Sequence, residues 1–291
     1  MPSLAVLQVL VRELTTRERQ PRVPEPDLVM DNPENVEAYT RAGTTDRVMA
    51  PVYLYNAAHV CDVIRPGELV LDLGCGPATQ LSLIAGLNPD VRFLGVDLSA
   101  PMLERGRAHL DALGVRNVEL RAGDITALAA IDDRSVDAVT STLTLHHLPD
   151  GDALHATFRE VRRVLKPGGG LYLLDFGRLR SPKSIHYFAH QYADRQSELF
   201  TLDYLNSLRA AHSLADFRSA ASVLEAYGRL YTTFLVPYMV AFKSPVRRAL
   251  SPEVRARFLA ERAKLPAHHR TDLKDLAVFF ALGRLRPGLL G

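Results

Sequence analysis

The stretch Val70-Leu71-Asp72-Leu73-Gly74-Cys75-Gly76 decides the fold. Its apolar start predicts a short buried β-strand. Gly74 and Gly76 predict a sharp turn after that strand, because glycine adopts backbone conformations that other residues avoid. A helical pattern then runs from Pro77 to Leu87. A strand, a glycine-rich turn and a helix in this order are typical of the ligand-binding unit of a parallel sheet.

The same alternation continues along the chain. Apolar runs occur at residues 92–96, 118–121, 136–141 and 171–174, and helical patterns separate them. Short apolar strands that alternate with helices predict βαβ units and a parallel sheet buried on both faces. Runs at residues 229–235 and 238–243 predict a hairpin at the sheet edge. The predicted fold class is therefore α/β, with a doubly wound sheet.

Three segments are predicted from the breaks in this pattern. Residues 1–32 combine a short helix over Met1–Gln20 with a proline-rich arm, since proline fixes the backbone and removes a donor. Residues 33–245 form the main domain, with a helical lid inserted at about 177–227. Residues 246–291 form a basic helical extension. The inserted lid is rich in Phe and Tyr, and long insertions over a sheet edge often shape a pocket.

Composition excludes several classes of protein. The 291 residues carry 35 Lys+Arg and 33 Asp+Glu, so a net charge of +2 argues against a protein that coats nucleic acid. Two cysteines, Cys61 and Cys75, exclude a disulfide framework and an all-cysteine zinc site. Neither a signal peptide nor a long apolar run is present, so we predict a cytoplasmic protein with no membrane span.

The residues that follow the strands predict a binding pocket, because ligands of open parallel sheets sit beyond the carboxyl ends of the strands. Asp97 lies 23 residues after Gly74, where a carboxylate accepts hydrogen bonds from ribose hydroxyls. Leu98 and Ile125 are placed to flank a flat base, and Asp124 is placed to accept a hydrogen bond from an exocyclic amine. The expected ligand contains adenosine.

The glycine turn distinguishes between adenosine ligands. A dinucleotide fingerprint requires a third glycine where this chain has Thr79. Asp72 would repel a pyrophosphate but attract an ammonium group. A sulfonium ligand with an amino acid tail therefore fits better than a nicotinamide dinucleotide.

Together these motifs resemble class I S-adenosylmethionine-dependent methyltransferases. The resemblance rests on five segments in the family's order, at residues 70–76, 95–99, 123–125, 137–148 and 165–169. Within that family the chain is most similar to the small-molecule branch, of the ubiquinone and menaquinone type, which shares a run like His146-His147-Leu148-Pro149-Asp150.

The resemblance implies a seven-stranded Rossmann-like sheet whose last strand is antiparallel. It implies S-adenosyl-L-methionine as the cofactor and S-adenosyl-L-homocysteine as the product. Methyl transfer would be an in-line displacement onto a small, partly apolar acceptor such as a natural-product intermediate or a quinone-like ring. A monomer or homodimer is expected, without nucleic acid. The cofactor-binding residues carried over are Asp72, Gly74, Cys75, Gly76, Asp97, Leu98, Asp124, Ile125, Ser141 and Thr142.

The catalytic residues are not determined by the motifs, because a sulfonium is already an activated methyl donor. Candidates are His146 and His147, which act on the acceptor or merely pack, and Tyr187 and Tyr192 in the lid. The predicted substrate-binding set is His147, His186, Tyr187, His190 and Tyr192. His186 and His190 have the spacing of two metal ligands on a helix, but a third ligand is missing, so no metal site is predicted.

Three alternatives remain open. A nucleic-acid or protein methyltransferase is disfavoured, because Ser141-Thr142-Leu143-Thr144 replaces the Asn/Asp-Pro-Pro-aromatic run of base-modifying enzymes. A nicotinamide-dependent oxidoreductase is disfavoured by Asp72 and Thr79. A non-catalytic protein that keeps the cofactor pocket is the third.

Overall fold

The structure is a computed structural model that describes residues 4–17 and 20–290, with only the backbone for residues 4–6. The predicted helix over Met1–Gln20 is present as α1, Leu4–Thr15. Residues 1–3, 18, 19 and 291 lie outside the described residues.

Seven strands form a single sheet in the described part of the chain, in the order β3-β2-β1-β4-β5-β7-β6. The first five are parallel, β7 is antiparallel to β5, and β6 is antiparallel to β7. This arrangement confirms the predicted fold class. The strands are β1 Leu69–Leu73, β2 Arg92–Asp97, β3 Val118–Ala122, β4 Val136–Thr142, β5 Leu165–Phe176, β6 Arg229–Thr232 and β7 Met239–Lys243.

Helices cover both faces of the sheet and continue beyond it. Local sequence explains several of their ends. Ser99 accepts a hydrogen bond from the Met102 N–H at the start of α5, and Gly114 ends that helix with φ of 67°. The remaining helices are α2 Pro33–Gly43, α3 Ala50–Val63, α4 Thr79–Leu87, α5 Ala100–Leu113, α6 Gly151–Val164, α7 Pro182–His190, α8 Glu198–Ala210, α9 Leu214–Ala221, α10 Pro252–Ala263 and α11 Ala267–Leu282.

The fifth strand is longer than the sequence predicts. The apolar run in the sequence starts this strand at residue 171, after the proline and glycines of residues 167–170. In the structure β5 runs through residues 167–170 and pairs Gly170 with Ala138 of β4. A Cβ at Gly170 would lie 2.0 Å from the carbonyl oxygen of Val63. The glycine therefore permits the close approach of α3 rather than breaking the strand.

Helix α3 also differs from its predicted pattern. In the sequence, the apolar residues Tyr53, Ala57, Val60, Val63 and Ile64 fall on one helical face, which predicts burial of that face alone. In the structure, Asn56, His59 and Asp62 on this helix are buried as well. The reason is that α3 packs against β5 and α4 and is covered by α10 and α11 from the C-terminal extension.

The predicted lid divides into two parts. Helix α9 packs against α6, and its Phe217 belongs to the core beneath the sheet. Helices α7 and α8 instead pack on each other beyond the carboxyl ends of the strands. Among the described helices, none is both long enough and apolar enough to cross a membrane.

Candidate functional site

The loop after β1 is held in a conformation that only its glycines adopt easily. Gly74 and Gly76 have φ of 67° and 51°. A Cβ at Gly74 would lie 2.0 Å from Cγ2 of Thr144, whose hydroxyl donates to the Gly74 carbonyl oxygen over 3.1 Å. A Cβ at Gly76 would meet no atom within 4 Å, so the loop presents open backbone at this point.

Two carboxylates flank this loop. Asp72 is buried at the end of β1, and the Thr140 hydroxyl donates to it over 2.7 Å. Burial raises the pKa of Asp72 to about 7. Asp97 accepts the N–H groups of Gly76 at 2.8 Å and Ser99 at 2.9 Å. Burial raises its pKa as well, although these backbone hydrogen bonds oppose the shift.

The other residues predicted at the base pocket lie at the next two strand ends. Leu98 is a large apolar side chain left 44% exposed beside Asp97, whereas Ile125 is buried. Asp124 is exposed, and its Oδ1 accepts from the N–H and the hydroxyl of Thr126. That oxygen therefore stabilises its own turn.

The residues predicted on the methionine side are Cys75, Ser141 and Thr142. Burial raises the pKa of the Cys75 thiol well above its usual value, which argues against a reactive thiolate. The Ser141 hydroxyl donates to the Leu73 carbonyl oxygen, and Thr142 accepts from Gln80 over 2.6 Å. These two hydrogen bonds connect β4 to the end of β1 and to α4, on either side of the glycine loop.

Behind this loop, His146 and Asp175 form a buried pair. The two side chains meet through Nδ1 and Oδ1 at 2.7 Å. Asp175 also accepts the backbone N–H groups of Thr144, Leu145 and His146. Burial disfavours the charged imidazole, but the charge and hydrogen bond of Asp175 outweigh it and raise the pKa of His146. Asp175 thus fixes the ring so that Nε2 is the free acceptor.

The N-terminal arm brings a third acidic side chain to this pair. Glu25 lies with one carboxylate oxygen 3.7 Å from His146 Nε2 and the other 3.5 Å from His147 Nδ1. The hydroxyl of Ser207 on α8 donates to Glu25 over 2.8 Å. The side chains of Glu25, His146 and His147 are also close enough to one another to bind a metal ion together. No residue of the arm was predicted to belong to the site.

Arg22 fixes the arm in place. Its guanidinium donates to the carbonyl oxygens of Ala210 at 2.6 Å and His146 at 2.9 Å, and to those of Leu148 and Pro149. Further along, the Ser99 hydroxyl donates to the Met30 carbonyl oxygen over 2.9 Å. The arm therefore crosses from the lid to the edge of the predicted ribose pocket.

A cavity of about 420 Å³ opens beside His146 and His147. Ten of its lining residues are Phe or Tyr, and they come from α2, β5, the lid, the hairpin and α11. Rings stack around it, for example Phe188 on Tyr238 with centroids 3.9 Å apart. The hydroxyls of Tyr204 and Tyr238 are hydrogen-bonded to each other. The cavity has the size and apolar character of a small-molecule site.

The structure places some predicted substrate residues at this cavity and others away from it. His147, Tyr187 and Tyr192 line it, as does the catalytic candidate His146. His186 and His190 do not line it but stack on each other on the exposed side of α7, so their position does not support a role in substrate binding.

Sequence reasoning missed Glu25, Asp203 and the residues of α11 at this site. Asp203 lines the cavity from α8, and Asp272 and Phe279 line it from α11. One usable indication was present in the sequence, namely the charged residues Arg22 and Glu25 among the prolines of the arm. Nothing in the local pattern of α11 indicates a pocket wall.

Comparison with known proteins defines the class. Residues 70–169 match the family described as a methyltransferase domain. The match identifies residues 70–169 as a methyltransferase domain, and the strand order and the two strand-end carboxylates agree with the class I, S-adenosylmethionine-dependent type. The cofactor of this class is S-adenosyl-L-methionine. The residues present fit it, since open backbone at Gly76, the buried carboxylate of Asp72 and the half-buried carboxylate of Asp97 suit a zwitterionic nucleoside.

Individual relatives differ in what they act on. The chain is 37% identical over 128 residues to an arsenite methyltransferase of Aquipseudomonas alcaligenes, covering 42% of this chain and 36% of the relative. It is 29% identical to a ubiquinone biosynthesis O-methyltransferase of Acinetobacter baumannii, covering 60% and 72%. The chain spans less than two-fifths of the length of the curated relatives that share 37% identity with it.

Solved structures support the fold. A Methanococcus maripaludis protein that has been proposed to be an S-adenosyl-L-methionine-dependent methyltransferase aligns with a TM-score of 0.55 at 17% identity. The alignment covers 80% of this chain and all of that one, so the likeness concerns the fold alone.

Proposed function

We propose that this protein transfers a methyl group from S-adenosyl-L-methionine onto a small, partly apolar, ring-containing acceptor bound in the cavity. The observation that carries this proposal is the position of the cavity. It meets the carboxyl edge of the sheet at Leu143, His146 and His147, which directly follow β4. An acceptor in the cavity is thereby adjacent to the proposed cofactor site.

The cofactor is assigned to the residues around the glycine loop. Asp72 accepts the ammonium group of the methionine moiety, and the backbone of residues 74–76 lies along it. Asp97 accepts the ribose hydroxyls, and the exposed Leu98 packs on the adenine ring. Support comes from the raised pKa values of these two carboxylates, because each gains an interaction partner when a ligand donates to it.

His146 is assigned as the general base. When bound, the cofactor supplies a methyl group on a positively charged sulfur, which is an activated leaving group. An acceptor hydroxyl must lose its proton as it attacks. In the neutral His146 ring the lone pair is on Nε2, because Asp175 occupies Nδ1, and His146 lines the cavity with Glu25 3.7 Å from this nitrogen. Asp175 stabilises the imidazolium that forms. The aromatic walls position the acceptor and exclude water.

The shape and charge of the cavity disfavour a nucleic-acid substrate. Among the described lining residues there is no Lys or Arg, so nothing there pairs with phosphates. A concave aromatic cavity of about 420 Å³ also suits a small molecule better than a duplex or a folded protein.

The test is methyl transfer in wild type and His146→Ala, with His155→Ala on α6 as a matched control outside the cavity. Release of S-adenosyl-L-homocysteine is measured with a panel of phenolic and amine acceptors. We expect His146→Ala to lower kcat by about a hundredfold or more while leaving S-adenosyl-L-homocysteine affinity unchanged. His155→Ala should behave as wild type.

Two results would contradict the assignment. Unchanged kcat in His146→Ala on a hydroxyl acceptor would exclude His146 as the base. Methyl transfer to nucleic acid or protein, without turnover of any small acceptor, would exclude the small-molecule proposal.

A further inference from the structure

Apart from two histidines, the ionisable side chains that line the cavity are acids or tyrosines. Three carboxylates line it, namely Asp203, Asp272 and Asp275, and Glu25 lies beside it against His146 and His147. Within the described part of the chain, no Lys or Arg lines this cavity. The chain as a whole has more basic than acidic residues, so the acidic cavity does not follow from composition.

The carboxylates of the cavity differ in how they are paired. Asp272 accepts a hydrogen bond from the Tyr192 hydroxyl at 3.2 Å and lies 3.5 Å from Arg195. Glu25 accepts from Ser207. Asp203, in contrast, has no hydrogen bond or ion pair with any side chain of the described residues. Asp275 also has none, but it is exposed to solvent, so Asp203 is the half-buried carboxylate of the cavity that lacks a partner.

The environment of Asp203 disfavours its ionised form unless a cation is bound beside it. Burial, followed by the nearby charge of Glu25, raises its pKa to about 7. The basic side chains in the neighbourhood already have partners. His146 is bound to Asp175, and Arg22 donates to the backbone carbonyl oxygens of four residues. A cation that entered the cavity would relieve the repulsion between Asp203 and Glu25.

The aromatic walls favour the same kind of ligand. Phe176 lies between His146 and Tyr204, with centroids 5.3 Å and 5.4 Å away, and Tyr238 stacks on Phe188. The faces of such rings attract cations and pack against other rings. Asp203 and His147 also line the smaller neighbouring pocket, so Asp203 lies at the end of the cavity where the histidines are.

We propose that the cavity selects a methyl acceptor that carries a protonated amine on a ring-bearing apolar scaffold, with Asp203 as the counter-ion and Glu25 beside it. This inference rests on the proposed function, since it names the acceptor class of the same site. An anionic acceptor is disfavoured, because it would face two carboxylates without a free cation. A neutral acceptor would leave the half-buried Asp203 without a counter-ion.

The test uses three naphthalene probes that differ only at the end of the side chain. They are 2-naphthylethylamine as the cation, 2-naphthylethanol as the neutral isostere and 3-(2-naphthyl)propanoate as the anion. The protein contains no Trp, so naphthalene fluorescence can be followed without tryptophan background. Binding is measured with and without saturating S-adenosyl-L-homocysteine. The variants are Asp203→Asn and, as a matched carboxylate-to-amide control on α8, the exposed Glu198→Gln.

We expect wild type to bind the amine about ten- to hundredfold more tightly than the alcohol, and the alcohol more tightly than the propanoate. Asp203→Asn should lose most of the difference between amine and alcohol, and Glu198→Gln should retain it. Equal affinity for amine and alcohol in wild type would overturn the inference. So would a preference that survives in Asp203→Asn, or the absence of measurable amine binding.

The two ligands distinguish a failure of this inference from a failure of the proposed function. If S-adenosyl-L-homocysteine binds but the amine has no advantage, the acceptor class is wrong and the methyltransferase proposal stands. If the amine is preferred but S-adenosyl-L-homocysteine does not bind, the cation pocket stands and the proposed function fails.

Discussion

Burial and ligand binding have opposite effects on the pKa of Asp72. Its carboxyl group is buried with one described side-chain donor, the Thr140 hydroxyl, and burial raises its pKa to about 7. A bound ammonium group favours the ionised form, which lowers that pKa again. Cofactor binding and ionisation of Asp72 are therefore thermodynamically linked.

This linkage predicts how affinity depends on pH. In the free protein Asp72 is increasingly protonated as the pH falls below its pKa, and the protonated form does not attract an ammonium group. We expect S-adenosyl-L-homocysteine affinity to fall by about tenfold per pH unit below about pH 7 and to level off above it. Calorimetric titrations from about pH 5.5 to about pH 8.5 measure this slope. Asp72→Asn should bind more weakly with a smaller slope, whereas a flat profile in wild type would remove Asp72 from the ammonium site.

At the scale of residues, sequence reasoning identified the site residues that lie at the end of a strand or in the loop that follows it. Asp72, Gly74 and Asp97 are recognisable because each follows a strand within a short motif. Glu25 and Asp203 were missed because they reach the site from the arm and from α8, more than a hundred residues from one of their partners. Local periodicity carries no information about such contacts.

The N-terminal arm is the element that links the lid to the site. Arg22 is its anchor, and hydrogen bonds from a charged donor contribute about 1.5–3 kcal/mol each when well made. Glu25 reaches the histidines only while this anchor holds the arm against the loop after β4.

Arg22→Ala is therefore expected to release the arm without unfolding the sheet. Amide hydrogen exchange in residues 20–32 should accelerate, and kcat/KM for the acceptor should fall by about tenfold or more because Glu25 is displaced. Arg17→Ala, an exposed arginine in the same segment, is the matched control and should leave both quantities unchanged. Unchanged exchange in Arg22→Ala would show that the arm is held by other contacts.

At the scale of elements, the prediction succeeded where a pattern is local. The parallel strands follow from short apolar runs between turn residues, and the hairpin from two such runs near Pro237. It failed for α3, which is buried on all sides, and for the glycines of β5, because both depend on what packs against them.

At the scale of the whole molecule, the C-terminal segment packs on helix α3 and on the cavity. Lys243 at the end of β7 binds Asp62 of α3 at 2.6 Å, and both side chains are buried. The Gly288 N–H donates to the same carboxylate at 3.2 Å, while Phe279 of α11 lines the cavity. Residues 246–291 were predicted as a basic extension, but they cover α3 and form one wall of the cavity. Sequence periodicity cannot place a distant helix on a particular partner.

The Lys243–Asp62 pair predicts a large effect on stability. Lys243→Met leaves the Asp62 carboxylate buried without its counter-ion, and such single removals cost about 3–5 kcal/mol. Denaturant unfolding should show this loss in the free energy of unfolding. The double variant Lys243→Met with Asp62→Leu should recover much of it, because no charge is then left buried. A single variant as stable as wild type would mean that Asp62 is satisfied by other donors.

The central claim is that the glycine loop and its two carboxylates bind S-adenosyl-L-methionine. The most direct measurement is calorimetric titration of the purified protein with S-adenosyl-L-homocysteine, with NADH as the control ligand. The account predicts micromolar binding of S-adenosyl-L-homocysteine and no binding of NADH. Binding of NADH alone, or no binding of S-adenosyl-L-homocysteine, would contradict it.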